Sequence, residues 1–129
     1  MDLYQQELMD HYRYPRNRGV LENPDIATES FNPSCGDMVS FQLLVTNGVV
    51  AAIKFQGSGC VISQAACSML TERCIQKSLA ELLLFNTDTM TALVGIPLGP
   101  TRLRCALLSL EALHKGILEY HAQQPNTKN

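Results

Sequence analysis

The sequence predicts an α+β fold, with a small antiparallel sheet of about three strands and helices packed on one of its faces. Apolar and polar residues alternate over much of residues 27–55, as in β-strands, and Asn47-Gly48 within them is a strong signal for a two-residue hairpin turn. The segments on either side follow helical spacing instead. The resulting order of helix, strands and then helices is typical of an α+β domain.

Residues 2–13 are predicted to form the first helix, with Asp2 as its N-cap. Tyr14-Pro15 ends this helix, because the residue before a proline avoids the helical conformation. Apolar residues recur along the helix at a spacing of four, and these are Tyr4, Leu8 and Tyr12.

Three strands are predicted over residues 27–31, 38–46 and 49–55. Turn-forming residues fill positions 32–37 between the first two strands, and Gly57-Ser58-Gly59 breaks the third. We therefore expect an antiparallel hairpin with one further strand beside it.

A helix over residues 61–76 should follow the sheet. Its predicted core-facing stripe consists of Ile62, Ala65, Ala66, Met69 and Leu70. Its predicted solvent-facing stripe consists of Gln64, Ser68, Glu72 and Gln76.

Three more helices complete the chain. Ser78 and Glu81 form a capping box before a short helix at 79–85. Thr87 or Asp88 is predicted to cap a second short helix, which ends at Gly95, and a long helix runs over 101–121.

The composition is that of one globular domain. The chain has 129 residues, of which 46% are hydrophobic and 17% charged. Its net charge of −2 argues against nucleic-acid binding, and its apolar runs are too short to span a bilayer. The N-terminus lacks the apolar region of a secretory signal. We expect a single domain over 1–122, a frayed tail over 123–129, and a reducing, cytoplasmic setting for the odd number of cysteines.

Three of the five cysteines lie at predicted junctions between elements. Cys35 lies two residues before Asp37 at the start of a strand, Cys60 follows the Gly-rich break, and Cys105 opens the last helix. Helix N-termini favour an anion at Cys60 and Cys105, and Arg102 and Arg104 should lower the pKa of the Cys105 thiol further. The alternative for Cys60 and Cys105 is an unreactive buried thiol, and the alternative for Cys35 is that the short C-G-D sequence occurs by chance.

The remaining candidates are better explained by packing. Cys67 and Cys74 lie seven residues apart in one helix and are interpreted as core residues. The three histidines, His11, His114 and His121, are expected at helical positions away from the junctions, at the edge of the core or partly exposed. His11 is the one histidine that we retain as a neighbour of the junction cysteines.

Junctions at one end of an α+β layer can converge. Three thiolates and one carboxylate would then form a four-point site suited to Zn²⁺, and iron–sulfur clusters are also held by thiolates. The chain has no C-x-x-C motif, which excludes a zinc ribbon and a thioredoxin-type redox site. A cysteine hydrolase or peroxidase based on Cys60 would need a neighbouring base, and none is evident.

Several motifs together resemble the U-type iron–sulfur cluster assembly scaffolds, the family of IscU, SufU and the N-terminal domain of NifU. Residues 10–19 (DHYRYPRNRG) are similar to the family's D-H-Y-x-x-P-R-N-x-G. Cys35-Gly36-Asp37 matches its C-G-D segment, 59–63 (GCVIS) its G-C-A-I-S segment, and 100–105 (PTRLRC) its third cysteine motif. The likeness covers nearly the whole chain.

The resemblance implies a scaffold and sulfur acceptor rather than an enzyme. Such a protein accepts persulfide sulfur from a pyridoxal-phosphate-dependent cysteine desulfurase, binds iron, and holds a nascent cluster, of the [2Fe–2S] type, until it passes to an apo-protein or carrier. Mapped onto this chain, the implied ligands of the cluster, or of Zn²⁺, are Cys35, Asp37, Cys60 and Cys105. Cys105 is our favoured sulfur acceptor and Cys35 its rival.

This chain departs from the family pattern at three places. Arg104 stands where the IscU branch has histidine, and the insertion that SufU proteins carry between the second and third cysteines is absent. The segment 98–102 (LGPTR) differs from the L-P-P-V-K loop that a dedicated Hsp70 chaperone reads, which argues against that partner. The alternative function is a zinc-dependent sulfurtransferase that activates a desulfurase without building a cluster.

Overall fold

The computed structural model describes residues 2–124, and they form the predicted α+β arrangement. The sheet is three-stranded and antiparallel, and its strands lie side by side in chain order. The elements in chain order are α1 (Leu3–Arg13), β1 (Ile26–Asn32), β2 (Asp37–Thr46), β3 (Val49–Ser58), α2 (Val61–Cys74), α3 (Leu79–Leu83), α4 (Thr87–Val94) and α5 (Pro100–Gln123).

The hairpin predicted at Asn47-Gly48 is confirmed. Both residues have positive φ, 53° and 76°, as a two-residue turn that matches the strand twist requires. The third strand is longer than predicted, because its pairing with β2 continues to Met38 opposite Ser58. Consequently the Gly-rich segment still belongs to the sheet and carries it up to the start of α2.

Helices α2 and α5 pack on one face of the sheet. Alternate residues of the strands point into this layer, and the rings of Phe41 and Phe55 lie opposite each other with centroids 6.4 Å apart. Asp37 follows the same alternation as Val39 and Phe41, so its carboxylate also points inward and is 1% exposed.

The prediction that the polar stripe of α2 faces solvent is wrong. Gln64 and Ser68 are buried together with the apolar stripe, whereas Glu72 is exposed. The reason is the central position of α2, which contacts α1, α4, α5 and the sheet, so most of its circumference is covered. The interpretation of Cys67 and Cys74 as core residues is confirmed, since both are fully buried.

Helix α1 turns a different face inward than its apolar spacing predicts. Asp2 caps it as expected, but Tyr4 and Tyr12 are 58% and 40% exposed. The buried residues are Leu8 and His11, which lie three apart on the side facing α2. Of the two alternatives for His11, partial exposure is therefore wrong, since the residue is 3% exposed.

The ends of the shorter helices follow local capping. The Ser78 capping box is confirmed, although α3 already ends at Leu83. Asn86, rather than Thr87 or Asp88, caps α4 through a bond from the Thr89 N–H, and Gly95 ends that helix as predicted. Helix α5 continues to Gln123, so of the expected frayed tail only residues 125–129 fall outside the described part of the chain.

None of the helices between residues 2 and 124 combines the length and the apolar character that crossing a membrane requires.

Candidate metal centre

Side chains from three junctions of the fold meet at one end of the sheet. Cys35 lies in the turn between β1 and β2, Asp37 begins β2, Cys60 precedes α2, and Cys105 lies on α5. One ligand atom from each of Cys35, Asp37 and Cys105 lies within 4.8 Å of the other two. The predicted convergence is therefore present for these three residues, which are separated by up to seventy positions in the sequence.

Asp37 is the centre of this arrangement. Its Oδ2 accepts a hydrogen bond from the Cys35 thiol at 3.1 Å and a longer one from the Cys60 thiol at 3.7 Å. Its Oδ1 accepts the backbone N–H of Cys60 at 2.9 Å. Cys60 thus contacts the shared carboxylate although it lies outside the tighter group of three.

The pKa of Asp37 reflects two opposing effects. Burial alone would raise it, but hydrogen bonds from Cys35, from the Cys60 backbone, from Cys105 and from the Cys60 thiol lower it on balance below its ordinary value. Asp37 is therefore a carboxylate at neutral pH, with oxygen atoms that can serve as hard ligands.

Gly59 makes the close approach of Asp37 possible. A Cβ atom at position 59 would overlap the Asp37 carboxylate, and the φ of +138° is itself one that other residues rarely adopt. Since the residue after Gly59 is Cys60, the same glycine brings the second thiol against the carboxylate.

Cys60 is the N-cap of α2. Its Sγ accepts the backbone N–H of Ser63 at 3.4 Å, and the Ser63 hydroxyl donates to the Cys60 carbonyl at 3.1 Å. The sulfur therefore occupies the place that a serine or aspartate oxygen takes at other helix starts, where an anion is favoured.

The expected lowering of the Cys105 pKa is wrong. Helix α5 begins at Pro100, so Cys105 lies in its second turn, beyond the first-turn N–H groups, and it is 5% exposed. Burial, followed by hydrogen bonding to Cys60 and Asp37, raises the pKa of its thiol above the ordinary value. Arg102 and Arg104 are exposed instead of buried against the sulfur.

Other candidates lie outside the cluster. Burial raises the pKa of Cys67, and it raises that of Cys74 to about 12, which leaves both as unreactive core thiols. The His11 ring contacts Ser68 at 2.7 Å and Glu72 at 3.5 Å. The expectation that His11 adjoins the site is wrong, because its ring packs against Ser68, eight residues beyond Cys60 along α2.

The cysteines open into a surface cavity of about 590 Å³. Cys35, Cys60 and Cys105 lie in its wall, and much of the rest is apolar and comes from α1, α2 and the segment before α5. Sequence reasoning did not find this wall, because its residues follow ordinary helical spacing and only the packing of α1 brings them to the cysteines. The apolar lining residues are Leu8, Met9, Val61, Ile62 and Ile96.

The comparisons with known proteins agree on one family. Residues 3–127 match the model of the NifU-like N terminal domain. The chain is 37% identical to the zinc-dependent sulfurtransferase SufU of Bacillus subtilis, with 89% of each chain covered. It is 36% identical to the iron–sulfur cluster assembly scaffold protein IscU of Aquifex aeolicus, over 94% of this chain and 78% of that one.

A solved structure shows the same fold. It is described as an iron–sulfur cluster assembly scaffold protein for the SUF system from Fervidobacterium islandicum. The superposition gives a TM-score of 0.75 at 26% identity and covers 87% of this chain and 94% of that one.

Proposed function

This chain belongs to the family of NifU-like N-terminal domains, and from that membership we propose that it is a scaffold for iron–sulfur cluster assembly. In this role it accepts sulfur from a cysteine desulfurase, binds iron, and holds the nascent cluster until an apo-protein or a carrier takes it. It is a sulfur acceptor and carrier rather than an enzyme, and it works in the cytoplasm. An Hsp70-type chaperone is not among its proposed partners.

The single observation that supports this role most strongly is the meeting of Cys35, Asp37 and Cys105 within 4.8 Å, with the Cys60 thiol 3.7 Å from the same carboxylate. Three thiols and one carboxylate supply four ligand atoms. Tetrahedral ligands on one ion lie about 3.8 Å apart when the metal–sulfur bonds are about 2.3 Å. The donor set therefore fits Zn²⁺ or the iron of a small cluster after modest side-chain movement.

Cys35 is the proposed first acceptor of sulfur, in place of the favoured Cys105. It is exposed, whereas Cys105 is buried and its pKa is raised. In the transfer, the Cys35 sulfur attacks the outer sulfur of the donor's persulfide. The donor's S–S bond breaks, a new S–S bond forms on Cys35, and the donor cysteine leaves as a thiol with the proton that Cys35 gave up. No net electrons are consumed in this exchange.

The carboxylate suits a site that must release its cargo. Thiolate is a soft ligand that binds iron–sulfur clusters tightly, whereas carboxylate oxygen is hard. With Asp37 as the fourth ligand, the site holds a cluster of the [2Fe–2S] type less firmly than four cysteines would. The cluster is then a transient cargo.

A second candidate is a zinc-dependent sulfurtransferase that activates a desulfurase without building a cluster. The observation that favours it is the 37% identity to a relative named for that activity. The donor set alone does not separate the two functions, because the same four residues fit Zn²⁺.

Anaerobic reconstitution with iron, cysteine and a cysteine desulfurase separates the two. A scaffold should acquire the visible absorption of a cluster and transfer it to an apo-ferredoxin. A colourless protein that retains zinc and accelerates the desulfurase would instead establish the sulfurtransferase. Cys35→Ser, Cys60→Ser and Cys105→Ser should each abolish cluster retention, with Cys74→Ala as the matched control for loss of a thiol remote from the carboxylate.

A further inference from the structure

Gln64 combines burial with an unsatisfied hydrogen-bond acceptor. The residue is 7% exposed, and its Oε1 is the one buried side-chain nitrogen or oxygen atom without a hydrogen-bond partner among residues 2–124. A buried carbonyl without a donor destabilises the fold, so such atoms are few in native proteins. Methionine or leucine would fill the position without this penalty.

The other half of the Gln64 amide is connected to the cysteine site. Its Nε2 donates to the Ser63 hydroxyl at 3.2 Å, and that hydroxyl donates its single proton to the Cys60 carbonyl. The Ser63 oxygen can therefore only accept from Gln64, which fixes the orientation of the amide. The backbone N–H of the same Ser63 bonds to the Cys60 sulfur at 3.4 Å.

The Gln64 amide also lies close to the end of β3. A Cβ at Gly57 would come within 3.2 and 3.3 Å of its amide atoms, so the amide lies against the backbone near the end of β3. Gly57 precedes Cys60 by three residues and Gln64 follows it by four. The amide thus lies beside the strand-to-helix junction that carries the thiol.

We propose that Gln64 is a positioning residue that fixes Ser63 and, through it, the direction of the Cys60 thiol. The amide lowers the stability of the fold, because its Oε1 is buried without a hydrogen-bond donor. The inference rests on the proposed function insofar as it takes Cys60 to be a ligand.

The test is Gln64→Met, which keeps a side chain of similar length and removes both the donor and the unsatisfied acceptor. The melting temperature of the metal-free protein should rise by about 3–8 °C. At the same time the Kd for Zn²⁺ should increase about three- to tenfold, as competition with a chromophoric chelator would measure. This increase is smaller than the one expected when a residue in direct contact with a metal ligand is lost. Gln56→Met, which changes an exposed glutamine of β3, should do neither.

A double-mutant cycle identifies the route. If Gln64 acts through Ser63, Ser63→Ala should weaken zinc binding, and adding Gln64→Met to that variant should weaken it no further. An unchanged Kd in Gln64→Met or in Ser63→Ala overturns the proposal. So does a Gln64→Met protein that is less stable than wild type, because the amide would then be a fold-stabilising group.

Alkylation of the metal-free protein keeps this inference separate from the proposed function. Iodoacetamide should modify Cys60 about threefold faster in Gln64→Met than in Gln56→Met, because a thiol whose side chain rotates more freely is more accessible. Peptide mass spectrometry measures the rate. If wild type binds no metal, the proposed ligand set fails while this rate still tests the positioning. Equal rates overturn the inference even if the wild-type protein builds clusters.

Discussion

Gly59 lies against Asp37 so closely that no side chain fits between them. The contact places the carboxylate beside the backbone that leads into Cys60, whose N–H it accepts at 2.9 Å. The geometry of the candidate site therefore depends on a residue that cannot itself bind a metal.

Gly59→Ala should damage both stability and metal binding. The φ of +138° and the overlap with Asp37 together should lower the free energy of unfolding by about 1–3 kcal/mol. The displaced carboxylate should also raise the Kd for Zn²⁺. Urea unfolding and chelator competition measure the two effects.

Gly48→Ala is the matched control. It imposes the strain of a positive φ, here 76°, where no atom beyond the two neighbouring residues lies within 4 Å of the added carbon. It should lower stability while leaving zinc affinity unchanged. Equal zinc affinity in the two variants would show that Gly59 matters only for the backbone.

Asp37→Ala should make a reconstituted cluster longer-lived, because the hard oxygen ligand that favours release is removed. The decay of visible absorption in the presence of an apo-ferredoxin measures this. The control is Asp88→Ala, which removes an exposed carboxylate from the first turn of α4. A cluster reconstituted on this variant should decay at the wild-type rate. Faster loss of the cluster from Asp37→Ala than from wild type would contradict the proposed role of the carboxylate.

The stability of the protein should fall as the pH drops below about 6.5, through His11. Burial, together with the charge of Arg16, lowers the pKa of this histidine from 6.5 and outweighs the opposing carboxylates. The unfolded state therefore binds a proton more readily, so the contribution is complete above 6.5 and is lost as the pH falls toward the folded pKa.

His11→Gln should remove that part of the pH dependence, measured by urea unfolding at pH 7.5 and 5.5. His121→Gln, at an exposed position of α5, should retain it. The same slope in wild type and His11→Gln would assign the dependence to other groups.

The cysteines of the metal-free protein should differ widely in reactivity. Cys35 is exposed and should be alkylated fastest, whereas Cys67 and Cys74 are buried with raised pKa values and should react only on unfolding. Timed iodoacetamide labelling with peptide mass spectrometry gives the order. Labelling of Cys67 at the rate of Cys35 under native conditions would mean that α2 opens far more than its packing suggests.

Local signals in the sequence were sufficient to predict most of the helices, strands and turns. The Asn47-Gly48 turn, the Ser78 capping box and the stop at Gly95 each depend on a few neighbouring residues, and all three are present. The convergence of Cys35, Asp37 and Cys105 was also predictable, because an α+β layer gathers its junctions at an end.

What could not be predicted depends on neighbours distant in the sequence. Gln64 and Ser68 are polar residues at helical spacing, and only the packing of α1 and α5 around α2 buries them. The pKa of Cys105 was misjudged for a similar reason, since its burial and its contacts with Cys60 and Asp37 outweigh the nearby arginines. Sequence patterns report the period of a helix but not how much of its circumference is covered.

The four residues of the candidate site come from β2 and the turn before it, the start of α2, and α5, so the last sulfur arrives with the final helix. During synthesis on the ribosome, a nascent chain that ends before residue 105 lacks one of the three thiols. Under the proposed function, complete loading with iron and sulfur would therefore wait until the ribosome has translated residue 105.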